Sequence, residues 1–248
     1  NLSANQSSDQ RRGPGLGTGV NMIGTVSRRD LIRWMGHSSA AVGGMVLGLD
    51  HALAKGGADT FKPNLFVSIP TKGPIEIVCH RSEMGQTART TMLMLVAEEL
   101  EVDIESVAIV QAPGDEKYGD QNTDGSTSAR KNWQRLREFG CAARMMLEQA
   151  AAQMWDVSPK SVTAKKGFIR HAASGRKASY QSLASAAAKL PVPKKLKLKE
   201  AKSFHTIGKP LRNLDADDMT KGRAPYGIDH RVPDMVYAVI ARSPTILG

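Results

Sequence analysis

Cysteine is scarce in this sequence. There are two, Cys79 and Cys141, and neither lies in a Cys-x-x-Cys motif. Two thiols exclude a disulfide framework, and an iron–sulfur cluster needs about four thiolates, so this chain alone builds none. A single Cys79–Cys141 bond is open to an exported protein, but two separately buried thiols is the expected state. Aromatic residues make up 5% of the chain, without the aromatic–basic interleaving that stacks nucleic-acid bases. Acid is in deficit, with 24 Asp+Glu against 34 Lys+Arg and a net charge of +10. Residues 1–54 hold five Arg against three Asp, or +2, which leaves +8 for the remainder, much of it within 160–202. Such an excess can attract nucleic acid, an anionic membrane or an acidic protein. Without stacking residues it reads as a solvated basic face, and no nucleic-acid partner is expected. No apolar run is long enough to cross a bilayer as a helix. The six histidines show no ligand spacing, so no metal-ligating residue is assigned, and His80 reads as structural.

What the chain does contain falls into three parts: 1–54, 55–205 and 206–248. Residues 1–21 are polar and glycine-rich, and Met22 is a candidate start. Then comes Ser27-Arg28-Arg29-Asp30-Leu31-Ile32-Arg33, which resembles a twin-arginine export signal. An apolar run at 40–49 and the small-residue site Ala52-Leu53-Ala54 follow in the order that export and cleavage require. This order implies a leader and signal peptide over 1–54 and a periplasmic destination. The alternative is an amphipathic N-terminal helix with a chance Arg-Arg pair.

Residues 55–64 read as a Gly/Lys/Pro linker. Residues 65–69 and 75–79 read as strands about the turn 70–74. A helix from about Thr87 carries Leu93, Val96, Ala97 and Leu100 at helical spacing, with Glu98 and Glu99 on its other side. A strand at 106–111 completes a strand–helix–strand unit. The polar loop 114–125 is of the kind that carries function. A long helix is predicted over about 127–155, interrupted by Gly140, whose tolerance implies close packing against another element. Two short strands are expected in 161–179 about a Ser174-Gly175-Arg176 turn, then an Ala-rich helix at 180–190. Residues 194–202 read as an extended, solvated connector. A new unit is expected from about 206–208.

Two stretches carry chemistry. Gly85 and Gln86 lie at a strand-to-helix junction, where free N–H groups and a side-chain amide can meet an anion. Backbone geometry alone also explains a Gly at such a turn. Gly125-Ser126-Thr127-Ser128 opens the long helix, where hydroxyls and free N–H groups suit a phosphate, although a plain N-cap needs only one of these residues. Asp120-Gln121-Asn122-Thr123-Asp124-Gly125 mimics half of a calcium loop, but its twelfth position is Lys131 where a bidentate Glu is required, and calcium is rejected.

Several stretches recur together in one known family: Glu83-Met84-Gly85-Gln86, Thr90, Ala97-Glu98-Glu99-Leu100, Val107-Ala108-Ile109-Val110 and Gly125-Ser126-Thr127-Ser128. Trp133, Gly140, Ala142-Ala143-Arg144, Gly227-Ile228-Asp229 and Ala241-Arg242-Ser243-Pro244 extend the match. From about residue 66 onward the chain resembles the large, molybdopterin-binding subunit of the xanthine oxidase/aldehyde oxidase hydroxylases, most nearly the isoquinoline 1-oxidoreductase type. The resemblance implies an α+β fold: a mixed sheet-and-helix cofactor-binding domain followed by the start of an α/β hammerhead-type module, whose first strands would fall in 222–229 and 235–240. It also implies a molybdenum–molybdopterin cofactor in its cytosine dinucleotide form and hydroxylation of an aldehyde or N-heterocycle with oxygen from water. Gly85 and Gln86 would meet the metal–dithiolene end of that cofactor, and Gly125, Ser126 and Ser128 its phosphate. Electrons would leave through a small 2Fe-2S partner subunit, with a c-type cytochrome as a further candidate. Most relatives carry a second Gly after the Gln. This chain has Thr87, a candidate cap for the helix that follows. The family's basic glutamate belongs to a later segment, so no residue here is assigned as catalytic. The chain reads as a fragment, inactive by itself. A non-catalytic basic periplasmic binding or assembly module that keeps the fold is the alternative.

Overall fold

A computed structural model describes residues 59–245, all within the unit His51–Gly248. The twin-arginine stretch, the apolar run and the Ala52-Leu53-Ala54 site lie outside the described residues. Four strands form a mixed sheet in chain order: β1 (Thr60–Asn64), β2 (Val67–Pro70), β3 (Ile75–Cys79) and β4 (Val107–Gln111). The first three pair antiparallel, while β4 runs parallel to β3 with Ile75 opposite Val107 and Cys79 opposite Gln111. A parallel pair needs a crossover. It is supplied by helix α1 (Ala88–Leu100), which confirms the strand–helix–strand reading.

Helix α2 (Ser128–Trp155) follows the long polar loop. Strands β5 (Val162–Lys165), β6 (Phe168–His171) and β7 (Arg176–Ser179) then form an antiparallel meander. Helix α3 (Tyr180–Ala187) packs over β1, β2 and α2, and the short α4 (Ala216–Thr220) comes last. Helices with a mixed and an antiparallel sheet make the fold α+β. Cys79 and Cys141 are separate buried thiols.

The two main helices pack in parallel. Ala88 and Thr91 share a groove with Ser128 and Ala129 at one end, and Glu99 meets Arg137 farther along. Between them, a Cβ on Gly140 would lie 2.4 Å from the Val96 carbonyl oxygen and 3.1 Å from the Glu99 Cβ. Gly140 therefore permits the close crossing, as its placement in the sequence implies.

Six expectations need correction. Thr87 does not cap α1 through its side chain; its Oγ1 donates to the Gln86 carbonyl at 2.6 Å. Its φ of 67° turns it away from cap geometry. The 55–64 linker ends in a strand, β1, whose register shifts between Phe61 and Asn64. That irregularity on an edge strand accommodates Pro63, which has no N–H for a ladder. The 161–179 segment holds three strands, because Lys166 and Gly167 both take positive φ and close a second tight turn.

Glu98 and Glu99 do not face solvent; both are fully buried. Glu99 Oε1 accepts from Arg137 Nε at 2.9 Å and Nη2 at 2.6 Å, and both its oxygens accept from Lys199 N at 3.1 Å. Glu98 accepts from the Lys199 ammonium and from the backbone N–H groups of His205, Thr206 and Ile207 at 3.0, 2.7 and 3.1 Å. The 194–202 connector is therefore pinned across the helix pair and not solvated. Lys197 O also accepts from Cys141 Sγ at 3.2 Å and Arg144 Nη2 at 3.0 Å. Burial pushes the Glu98 carboxyl up, but Lys199 and the three N–H groups hold it below its usual value. Ile207, Leu211 and Leu214 pack against the same core. Neither 222–229, where Gly227–Asp229 forms one turn of 3-10 helix, nor 235–240 is hydrogen-bonded into either sheet, and Val236, Tyr237, Val239 and Ile240 are exposed.

His80 fastens the end of β3 to α2. Its Nε2 lies 3.2 Å from Asn132 Oδ1, whose Nδ2 donates to Ser128 O at 2.9 Å, and its ring meets Phe66 edge-on at 5.1 Å. With the Asn132 oxygen facing it, Nε2 carries the proton and donates. Burial, with the Arg81 charge next, lowers the imidazole to about 4.

Gly140→Ala should destabilise the protein by about 1–3 kcal/mol through overpacking, read as a lower urea midpoint at unchanged slope. The unfolded chain takes up a proton at His80 near the ordinary 6.5, whereas folded His80 refuses it until about 4. Stability therefore falls as pH drops through that window. The expected loss is about 2 kcal/mol between pH 7 and 5, absent from His80→Phe. Glu98, with its lowered value, acts only below that range.

Candidate functional site

Both loops that the sequence singles out leave the carboxyl ends of parallel strands, 80–87 after β3 and 112–127 after β4. Ligand crevices in α/β units form at such ends. The loops are tied to each other: Thr123 Oγ1 donates to Ser82 O at 3.0 Å, and Arg81 Nη2 to Asp120 Oδ2 at 3.2 Å. A groove of about 370 Å³ lies between them, lined by Gln86, Ala88, Gly125, Ser126 and Ser128, with Met84 at its rim. Four of the five expected site residues thus share one groove. Gly85 sits in the turn above it and is not part of the lining.

The two walls are built differently. On the α1 side, Gly85 has φ 94° and Thr87 φ 67°. Gln86 is folded back on its own turn: Oε1 accepts from Met84 N at 2.6 Å, and Nε2 donates to Ser82 O at 3.2 Å. That uses one of the two Nε2 hydrogens and leaves the other as a donor. On the α2 side, Gly125 and Ser126 take successive φ values of 50° and 54°, which reverse the chain into the helix. Thr127 does not cap α2, since its hydroxyl donates to Asp124 O at 2.9 Å. No acidic residue lies in the first turn. Among the described residues, then, no side chain accepts at the positive end of this 28-residue helix, beside the Ser126 and Ser128 hydroxyls. This donor set fits a phosphate or pyrophosphate. Asp124, on the same wall, is the one carboxylate of the lining.

Sequence reasoning missed the supporting groups. Arg81 is buried to 1% exposure, with Nε and Nη1 unpaired among the described residues. Its charge, after burial, lowers the neighbouring Arg135 guanidinium. On the other side of the 80–87 loop lies a second cleft of about 730 Å³, lined by Glu83, Arg89, Gln111, Tyr226 and His230. Its walls come from positions more than a hundred residues apart, and no local pattern announces it. Among the described residues no group of three or more His, Cys, Asp or Glu could hold a metal ion, and no helix is long and apolar enough to cross a membrane.

Comparisons with known proteins place the chain in a family. The model of a family described as "Molybdopterin cofactor-binding domain" matches residues 3–230. The subunit beta of isoquinoline 1-oxidoreductase from Brevundimonas diminuta is 29% identical over 222 residues, covering 73% of this chain and 28% of that protein. A membrane-bound aldehyde dehydrogenase (pyrroloquinoline-quinone) from Gluconacetobacter polyoxogenes is 32% identical over 206 residues, covering 81% of this chain and 26% of that one. Quinoline 2-oxidoreductase from Pseudomonas putida 86 aligns over 48% of this chain and 15% of its own, at 16% identity and a TM-score of 0.38, too loose a likeness to argue from. The chain thus spans about a quarter of the length of the curated relatives it matches. With the family model covering most of its length and the expected residues gathered on one phosphate-suited groove, the chain belongs to the molybdopterin cofactor-binding domain family.

Proposed function

We propose that this chain is a segment of the large subunit of a periplasmic molybdenum hydroxylase acting on aldehydes or N-heterocycles. The observation that carries the reading is the groove that joins the Gln86 turn to the uncapped start of α2. Ser126, Ser128 and the α2 N-terminus would hold the cofactor's phosphate. Gln86, through its free amide hydrogen, would donate at the metal–dithiolene end, and Gly85 supplies the positive-φ turn that brings the backbone there. When bound, the cofactor supplies the redox-active metal at which oxygen from water is transferred to substrate.

The nucleotide end of the cofactor is proposed to be cytosine. Electron transfer out of the site needs a carrier, and two cysteines cannot hold a cluster. A small 2Fe-2S subunit, with a c-type cytochrome beyond it, fits that need. The twin-arginine-like stretch and small-residue cleavage site support export to the periplasm. That route carries folded proteins, as a subunit loaded with its cofactor before leaving the cytoplasm requires. The names of the two curated relatives support an aldehyde or N-heterocycle as substrate class.

The test is molybdenum and pterin analysis of the protein purified from the periplasm of its host. Stoichiometric molybdenum with a released cytosine nucleotide is expected, with both reduced in Ser126→Ala. A folded, exported protein without molybdenum would overturn the reading in favour of the basic binding module.

A further inference from the structure

Parallel packing of α1 and α2 brings two positive helix ends to one groove, yet among the described residues only the α1 end has a side-chain acceptor. At the start of α1 the Glu83 carboxylate fills that place. Its Oε1 accepts from Gly85 N at 2.8 Å and Thr87 N at 2.9 Å, and its Oε2 from Arg89 N at 3.1 Å. One side chain thereby satisfies three backbone donors around the turn that carries Gln86. Charge-assisted bonds of this kind are about twice as strong as neutral ones.

The same carboxylate holds a residue that resists its own conformation. Thr87 has φ 67° and ψ 25°, in the left-handed region, where a β-branched side chain is a genuine outlier. Its N–H is one of the three that Glu83 accepts. Its hydroxyl donates to the Gln86 carbonyl oxygen, the adjoining peptide of the turn. Such strain persists only where surrounding contacts over-determine it. Gly85, by contrast, meets its positive φ without cost, and a Cβ there would touch nothing. Glu83 is the side chain that holds the Thr87 N–H in that conformation.

We infer that Glu83 is a positioning residue. Its carboxylate acts as a built-in anion at the α1 N-terminus, locking the strained Gly85–Thr87 turn so that Gln86 is presented before any cofactor arrives. This rests on the cofactor reading above for its purpose, but the lock itself is a property of the chain alone.

Two readouts test it, each on Glu83→Ala, Glu83→Gln, Thr87→Gly and the Glu83→Ala/Thr87→Gly double variant. The first is amide exchange by NMR on the cofactor-free protein. Exchange at Gly85, Thr87 and Arg89 should accelerate about tenfold or more in Glu83→Ala. It should accelerate chiefly at Arg89 in Glu83→Gln, whose single carbonyl oxygen can still serve Gly85 and Thr87. The second is pterin content per chain in protein from the native host. It should fall in Glu83→Ala and recover in the double variant, since Gly at 87 removes the strain that Glu83 opposes. Glu83→Gln keeps the side-chain volume and guards against a folding failure. Unchanged exchange in Glu83→Ala overturns the lock. Pterin loss that Thr87→Gly does not restore overturns the positioning role. A wild-type protein without pterin defeats the cofactor reading and the positioning role with it, and the exchange experiment still decides the lock.

Discussion

Two helices cross at Gly140 so closely that a methyl group there would sit 2.4 Å from the Val96 carbonyl oxygen. The rest of the structure depends on that approach. It buries the Glu98–Glu99 end of α1, and a buried carboxylate is costly unless paired and hydrogen-bonded. Arg137, Lys199 and the N–H groups of residues 205–207 meet that requirement, and in doing so draw the chain at 197–207 across the helix pair. The two acids therefore act as a clasp. They fix the angle of two helices at one end and the course of a distant segment at the same time.

The consequence for function appears at the other end of the same pair. Parallel helices that are close together place both positive termini side by side, an arrangement that is unfavourable until anions fill it. One terminus is filled from within the chain by Glu83, and the other opens onto a groove lined by hydroxyls. Packing in the core thus creates the electrostatic demand that the site answers. His80, neutral and bonded to Asn132, keeps the start of α2 in place without adding charge.

Much of this was legible in the sequence. The β-branched run at β3, the helical spacing of α1 and the length of α2 gave the main elements near their observed bounds. Local chemistry at Gly125, Ser126 and Ser128 left a plain helix cap and an anion site both open, and the family resemblance decided for the cofactor. Other features were hidden because their causes are remote. Glu98 and Glu99 look like an exposed face until Lys199 and the peptide N–H groups of 205–207, a hundred residues on, come to meet them. Lys199 looks solvated for the same reason. Pro63 argues against a strand unless the strand lies at a sheet edge with a register shift, and only pairing reveals that. Thr87 stands where a helix cap is expected, but Glu83 does the work from four positions upstream. A carboxylate that bonds three amides on its own turn leaves no periodic signature.

The asymmetry between the two helix starts is what makes one of them a cofactor site. The most direct measurement is site-resolved amide exchange of the wild-type protein with and without molybdopterin cofactor. The amides of Gly85, Thr87 and Arg89 should be protected in both states, while those at 128–130 should exchange freely without the cofactor and gain protection with it. Equal gains at both helix starts, or none at 128–130, would contradict that asymmetry.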